Sequence, residues 1–144
     1  MSAGITLTTA PTEEDIEAIR TGLRAHNLPH LGTIDRLPVA CFYHDPQGKK
    51  LGGVSGMVWG KWLQIDFLWV DPSLQHQGIG RQLLTQIEHH AKACGCHSVL
   101  LDTFSFQARP FYEKQGYRCV MTLEDFPQNA DKHYLVKSLA GELS

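Results

Sequence analysis

The hexapeptide Gln75-His76-Gln77-Gly78-Ile79-Gly80 sets two glycines, one residue apart, at the mouth of an amphipathic run. At a helix start the first backbone N–H groups have no intrahelical partner, and the helix dipole adds positive potential there. Such a loop can hold a phosphate, and glycine lets the anion approach the backbone closely. The same glycines also suit a tight strand-to-helix turn with no ligand, and on the glycines alone both readings stand. Upstream, Asp66 is a carboxylate inside the otherwise apolar run Trp62–Val70. Burying it is costly unless it lines a polar cavity or has a partner. Strand alternation groups Gln64, Asp66, Leu68 and Val70 on one face. Asp66 is therefore a candidate for a substrate-side role or for a structural pair. Asp102, near the end of the run Ser98–Thr103, has a similar claim.

Known phosphate loops fail residue by residue. A P-loop needs Gly-Lys-Ser/Thr, but Gly48 is followed by Lys49-Lys50. A dinucleotide fingerprint needs a third glycine where Leu83 stands. The nucleophile elbow fails at Ser55, which is followed by Gly56 and then Met57. No H-E-x-x-H occurs, and His89-His90 reads as a solvated helix face rather than a metal pair. Cys41, Cys94, Cys96 and Cys119 lack the paired C-x-x-C spacing of a zinc site, so they read as reduced thiols and no metal is expected.

The chain is 144 residues, enough for one domain, 1–144, with a core of its own. Lys and Arg number 13 against 15 Asp and Glu, a net charge of -2 that carries no electrostatic footprint for nucleic acid. The start, MSAGITLTTAPTEEDIE, has neither the basic nor the apolar segment of a signal peptide. No run is long and apolar enough to span a membrane. These observations point to a cytoplasmic protein.

The elements that must position the glycine loop follow from the apolar periods. Ile5–Thr8 alternates and predicts a short strand. Thr12 is a candidate N-cap for a helix with Glu13, Glu14 and Asp15 in its first turn and Ile16, Ile19 and Leu23 as its stripe. Pro29, Gly32 and Pro38 break the segment after it into loop and short helix. Val39–His44 and Leu51–Trp59 predict strands joined by the turn Asp45-Pro46-Gln47-Gly48. Gly60-Lys61 connects to Trp62–Val70, apolar almost throughout and so expected to be buried on both faces. A helix from Gly78 to Cys94 puts Ile79, Leu83, Leu84, Ile87 and Ala91 on one face, with Gly95 as its left-handed stop. Ser98–Thr103, a helix over Gln107–Gln115, and strands Tyr117–Leu123 and His133–Val136 complete an α/β chain of about seven strands.

Two stretches on these elements resemble a known family. Gln75-x-x-Gly78-x-Gly80 following Leu68-x-Val70-x-Pro72 is similar to the acyl-CoA signature of the GNAT N-acetyltransferase superfamily. Ala108-x-x-Phe111-Tyr112-x-x-x-Gly116-Tyr117 resembles its second signature, in the right order and spacing. The resemblance implies a mixed, mostly antiparallel twisted sheet flanked by helices, acetyl-CoA as co-substrate and acetyl transfer to a primary amine. It implies that pyrophosphate rests on the N–H groups of Gln77, Gly78, Ile79, Gly80 and Arg81, with Gln75 and His76 shaping the loop. The pantetheine arm would pair with backbone at Leu68, Trp69 and Val70. Tyr112 takes the place of the family's general acid toward the departing thiolate, and Asp66 that of a base. Where the family often has an asparagine, this chain has Ser105, leaving Gln107 as the candidate substitute. Trp59, Trp62, Phe104, Phe106 and Tyr134 are candidates for the acceptor wall. A small-molecule amine is the expected acceptor, with a homodimer as the expected assembly. A protein or peptide acetyltransferase and a non-catalytic acyl-CoA sensor are the alternatives.

Overall fold

A computed structural model describes residues 3–32 and 34–140. The chain divides into an N-terminal unit, Met1–Ile34, and a larger unit, Asp35–Ser144.

The first unit contains α1 (Glu13–Leu31), opened by Thr12 as the sequence predicts. The Thr12 hydroxyl accepts the Asp15 N–H at 3.1 Å, and the Asp15 carboxylate accepts the Thr12 N–H at 2.9 Å. Two of the donors that a helix start leaves without partners are thus satisfied reciprocally. The predicted break at Pro29 does not occur. Proline falls in the last turn, where the single hydrogen bond it forfeits can be tolerated, and the helix runs on until Gly32 closes it onto the Leu28 carbonyl at 2.8 Å. Ile5–Thr8 is not a strand. Its alternation is real, but a strand exists only where a neighbour completes its ladder, and no described residue pairs with it.

Among the described residues the larger unit holds six strands, β1 (Arg36–His44), β2 (Lys50–Trp59), β3 (Trp62–Val70), β4 (Ser98–Phe104), β5 (Arg118–Leu123) and β6 (Lys132–Ser138). They form one sheet in the order β1-β2-β3-β4-β6-β5, antiparallel throughout except for β3 beside β4. The sheet has one strand fewer than expected because Ile5–Thr8 does not join it. At the β1–β2 turn the Asp45 carboxylate accepts the N–H groups of Gln47 and Lys49, both at 2.9 Å, which is why Asp-Pro-Gln-Gly turns here. The helix α2 (Ile79–Ala93) lays Ile79, Leu83, Leu84, Ile87 and Ala91 on the sheet, against Val54, Leu63, Ile65, Val99, Leu101 and Leu135. Gly95 takes φ 95° just beyond it, the left-handed stop that was expected. A short α3 (Arg109–Lys114) precedes β5.

The strand β3 departs from expectation in a way that matters. It is buried on one face only: Leu63 and Ile65 are covered, while Gln64, Asp66, Phe67 and Trp69 are exposed. Its register against β2 slips by one residue, with Ser55 opposite Phe67 but Gly56 opposite Ile65. Asp66 is the extra residue of a β-bulge. Past the bulge the alternation inverts, so Leu68 and Val70 turn to the core and pack against it. The expected grouping of Gln64 and Asp66 with Leu68 and Val70 is therefore wrong, because a single inserted residue exchanges the two faces. Asp66 also escapes the burial cost that made it conspicuous. Across from the bulge, a Cβ on Gly56 would stand 2.5 Å from the Gln64 carbonyl oxygen.

Because that oxygen belongs to backbone, it cannot simply swing aside. Gly56→Ala is expected to cost about 2 kcal/mol or more through overpacking, read as a lower denaturation midpoint with an unchanged slope. Retention of full stability would show that the bulge accepts a side chain.

Candidate active site

The parallel pairing of β3 with β4 is short. It comprises Trp62 with Ser98, Leu63 with Val99 and Gln64 with Leu100, and it stops just before the bulge. Beyond it Ile65–Val70 and Leu101–Phe104 have no ladder between them, while each remains paired to its outer neighbour. The result is a cleft with strand backbone along its lips. The Asp71 N–H donates to the Leu51 carbonyl at 2.8 Å. Strand alternation then sends the backbone groups of Trp69 toward β2 and turns those of Leu68 and Val70 to the cleft. Of the three residues predicted to meet a pantetheine arm, two present N–H and C=O groups there and Trp69 does not.

The chain leaves β3 through a single 3-10 turn, Pro72–Leu74, whose Ser73 N–H is held by the Asp71 carboxylate at 2.9 Å. Gln75, His76 and Gln77 follow, all exposed. His76 at φ 66° and Gly78 at φ 77° are both left-handed. Such alternation curls successive N–H groups toward one side and makes an anion-binding concavity. Gly78 is the N-cap of α2 and has no side chain to cap it. The first α-helical closure is the Gln82 N–H on the Gly78 carbonyl at 3.1 Å, so Ile79, Gly80 and Arg81 begin the helix with N–H groups aimed outward. The Arg81 guanidinium reaches within 4.0 Å of where a Gly78 Cβ would stand, adding positive charge.

The two glycines do different things. Gly78 serves a left-handed backbone that L side chains rarely adopt. At Gly80 a Cβ would meet the Phe111 ring at 3.4 Å and the Val70 side chain at 3.8 Å. The space freed at Gly80 therefore faces Phe111 and Val70, not an open loop mouth. Only its N–H is available to an anion.

Tyr112 lies on α3 and is 8% exposed. Its ring meets those of Phe111 and Tyr117 edge-on, with centroids 5.2 Å and 5.9 Å away. Among the described residues its hydroxyl has no hydrogen-bond partner, yet no buried side-chain oxygen or nitrogen is left unsatisfied. The hydroxyl therefore keeps access to solvent although the residue as a whole is buried. Burial, with a contribution from the Asp102 carboxylate on the cleft stretch of β4, pushes the phenol up to about 12. It stays protonated across the physiological range.

The carboxylates differ in commitment. Asp66 is exposed at the bulge and has no partner among the described residues. Asp102 lies 3.7 Å from the Lys132 ammonium, which also sits over the rings of Phe104, Phe126 and Tyr134. The two carboxylates occupy equivalent places on opposite lips, each two residues past the last β3–β4 pair, Gln64 with Leu100. Ser105 is tied to the β5–β6 loop, its N–H bonding the Asp131 carbonyl at 2.8 Å and its hydroxyl accepting the Asp131 N–H at 3.0 Å. The Gln107 side-chain oxygen is likewise used, accepting from the Phe104 N–H at 2.8 Å and the Thr103 hydroxyl at 3.1 Å. Of that side chain, the amide NH₂ is what remains for a ligand. Trp59 and Trp62 face each other at the β2–β3 hairpin, away from the open end of the cleft, whereas Phe104, Phe106 and Tyr134 gather near Lys132.

Sequence reasoning missed two features. One is the bulge, whose only sequence trace is a glycine opposite a carboxylate. The other is a buried cluster in which Glu88, 3% exposed, accepts the Tyr117 hydroxyl at 2.6 Å and the Lys137 ammonium at 2.7 Å. Glu88 follows Leu84 by four residues and Ile87 by one, so its place on the apolar stripe of α2 was legible. Its partners, from distant parts of the chain, were not.

A strand pair that parts at a bulge thus lies in the same unit as a helix start whose first N–H groups point outward. Residues 11–117 match the model of the acetyltransferase (GNAT) family, and the chain belongs to that family. It is an acyltransferase. It is 34% identical over 121 residues to the blasticidin-S acetyltransferase of Streptomyces morookaense, covering 77% of this chain and 89% of the relative. With the glucosamine 6-phosphate N-acetyltransferase of Trypanosoma brucei brucei it shares 30% identity over 105 residues, 68% of this chain and 71% of the relative. The crystal structure of an acetyltransferase from Bacillus cereus superposes with a TM-score of 0.85 at 39% identity, over 93% of this chain and 98% of that one.

The raised phenol of Tyr112 links stability to alkaline pH. The folded state keeps a proton that an unfolded tyrosine releases near about 10, so this contribution is intact below about 10. It is lost as pH rises through about 12. Tyr112→Phe should therefore make the thermal midpoint fall less steeply over that window. Parallel curves for the two proteins would contradict it.

Proposed function

We propose that the protein transfers an acetyl group from acetyl-CoA to a primary amine of a small molecule, by direct attack in a ternary complex. The observation that carries this reading is the parting of β3 and β4 after Gln64 and Leu100. It leaves the Leu68 and Val70 backbone groups at a cleft edge, where an extended amide-bearing arm can add like a strand. The outward N–H groups of Gln77 to Arg81 and the Arg81 guanidinium suit a pyrophosphate at one end of that arm. A fixed backbone N–H beside the thioester polarises its carbonyl and holds the developing oxyanion. The neutral amine attacks that carbon, the C–S bond breaks, the nitrogen loses a proton, and the sulfur leaves as thiolate.

Tyr112 serves the leaving sulfur in this reading. A phenol at about 12 is weaker than a thiol, whose ordinary value is roughly 8.5, so complete proton transfer is uphill. A hydrogen bond to the forming thiolate is the role its acidity supports. Asp66, uncommitted and beside the opening, attracts the ammonium form of the acceptor and takes its proton directly or through water. Asp102, already facing Lys132, is the weaker candidate. Two relatives are named for small molecules, blasticidin S and glucosamine 6-phosphate, and this supports an acceptor of that kind. The family match crosses both units, from 11 to 117, in keeping with one catalytic domain. Four free cysteines suit the reducing cytoplasm.

A free-thiol assay with acetyl-CoA over polyamines, aminoglycosides, amino acids and peptides tests the whole reading. Thiol release with a small amine is expected. Turnover on peptides alone would replace the acceptor class, and coenzyme A binding without any turnover would make the protein a sensor. Within an active pair, Tyr112→Phe should lower kcat roughly 10²-fold and leave coenzyme A affinity nearly unchanged. Equal kcat would return Tyr112 to a packing role. Asp66→Asn should sharply lower kcat/KM for the amine at constant thermal midpoint, whereas full activity would pass the base to Asp102 or to water.

A further inference from the structure

The buried cluster around Glu88 has no part in the chemistry described above. Glu88 sits on the core stripe of α2, and Tyr117 and Lys137 come to it from the turn between α3 and β5 and from β6. Both carboxylate oxygens are used, and the Lys137 ammonium also lies 5.6 Å from the Tyr117 ring centroid. A buried ion pair contributes little net stability compared with apolar residues of the same shape, so stability alone does not account for it. What the cluster does is immobilise Tyr117, itself 3% exposed.

Tyr117 in turn packs on Tyr112, together with Phe111 and Gln115. Its N–H donates to the Tyr112 carbonyl at 3.1 Å, and its ring meets the Tyr112 ring at 70°. The Tyr112 hydroxyl is without a protein partner among the described residues, so no hydrogen bond at its tip fixes it. Its position depends on what holds the ring and the backbone. The same α2 that carries Glu88 begins with the outward N–H groups of Ile79 to Arg81.

We propose that Glu88 and Tyr117 are positioning residues: Glu88 anchors the Tyr117 hydroxyl, Tyr117 sets the Tyr112 ring, and the Tyr112 hydroxyl is thereby held at the cleft at a fixed distance from the helix that carries the anion loop. This rests on the reading that Tyr112 acts on the leaving sulfur. Displacements of about an ångström at a reacting group can cost up to 10²-fold in rate, so the anchor acts on kcat rather than on binding.

The test is a double-mutant cycle in the full-length protein, with coenzyme A affinity, kcat, KM and thermal midpoint measured for each variant. Tyr117→Phe removes one hydroxyl and keeps the ring. It should lower kcat about tenfold, leave the KM for acetyl-CoA and coenzyme A affinity unchanged, and cause no further loss in a Tyr112→Phe background. Glu88→Leu should reproduce the loss, and Glu88→Gln, which keeps an acceptor for the Tyr117 hydroxyl, should recover part of it. A Tyr117→Phe protein with parental kcat, or a loss that persists undiminished without the Tyr112 hydroxyl, would overturn the positioning role alone. If Tyr112→Phe itself leaves kcat unchanged, the leaving-group reading fails first and the positioning role with it. Should Glu88→Leu not fold, the Tyr117→Phe cycle decides by itself.

Discussion

The bulge at Asp66 is the constraint on which the rest of the site depends. A parallel pair such as β3 and β4 would ordinarily continue for the length of the shorter strand, each residue adding a slanted hydrogen bond. Here pairing ends after Gln64 and Leu100, because the extra residue bends β3 and increases its twist. The bend requires close approach on the other side, and Gly56 supplies it, with no side chain to meet the Gln64 carbonyl. One glycine and one inserted residue thus open the sheet at the cost of a single register slip in the β2–β3 ladder, which resumes beyond it.

The opening is flanked by two kinds of polar group. On one side are backbone N–H groups with no internal partner, at the start of α2 and along Leu68 and Val70. Such groups suit a ligand made of phosphates and amides. On the other are side chains whose settings separate their chemistry. Tyr112 is kept neutral by burial and by Asp102, Asp66 is exposed and uncommitted, and Asp102 faces Lys132 within an aromatic surround. In the proposed reaction these differences distribute the roles: hydrogen bonding to sulfur, attraction of the amine, and definition of the wall.

The two glycines of the anion loop sit in different settings. Gly78 is needed for a left-handed backbone at the helix cap. At Gly80 the backbone is ordinary, and a Cβ there would make van der Waals contact with Phe111 and Val70. Close packing there joins the loop's helix to α3, and the Glu88–Tyr117 hydrogen bond joins the same two regions farther along. The parts that would hold the two ends of acetyl-CoA are therefore tied to each other through the core.

By itself the sequence determined the elements whose causes are local. Thr12 and Asp15 cap a helix through bonds three residues apart, Asp45 to Gly48 turn a hairpin, and the stripe from Ile79 to Ala91 fixes which side of α2 is buried. The two signatures, placed on those elements, carried the family and the location of Gly78, Gly80 and Tyr112. Tertiary structure alone decided the rest. Ile5–Thr8 alternates like a strand but found no ladder partner among the described residues, and pairing depends on a distant segment. Leu68 and Val70 left the face of Gln64 and Asp66 because period-two reasoning carries every residue past a bulge to the wrong side, and a bulge is a property of two strands. Gln107 turned out to be engaged by its neighbours Thr103 and Phe104 and Ser105 by the distant Asp131, a matter of distances that residue types do not encode. Glu88 found Tyr117 and Lys137 because folding brings α2, the turn between α3 and β5, and β6 to one place. No spacing along a chain records that meeting.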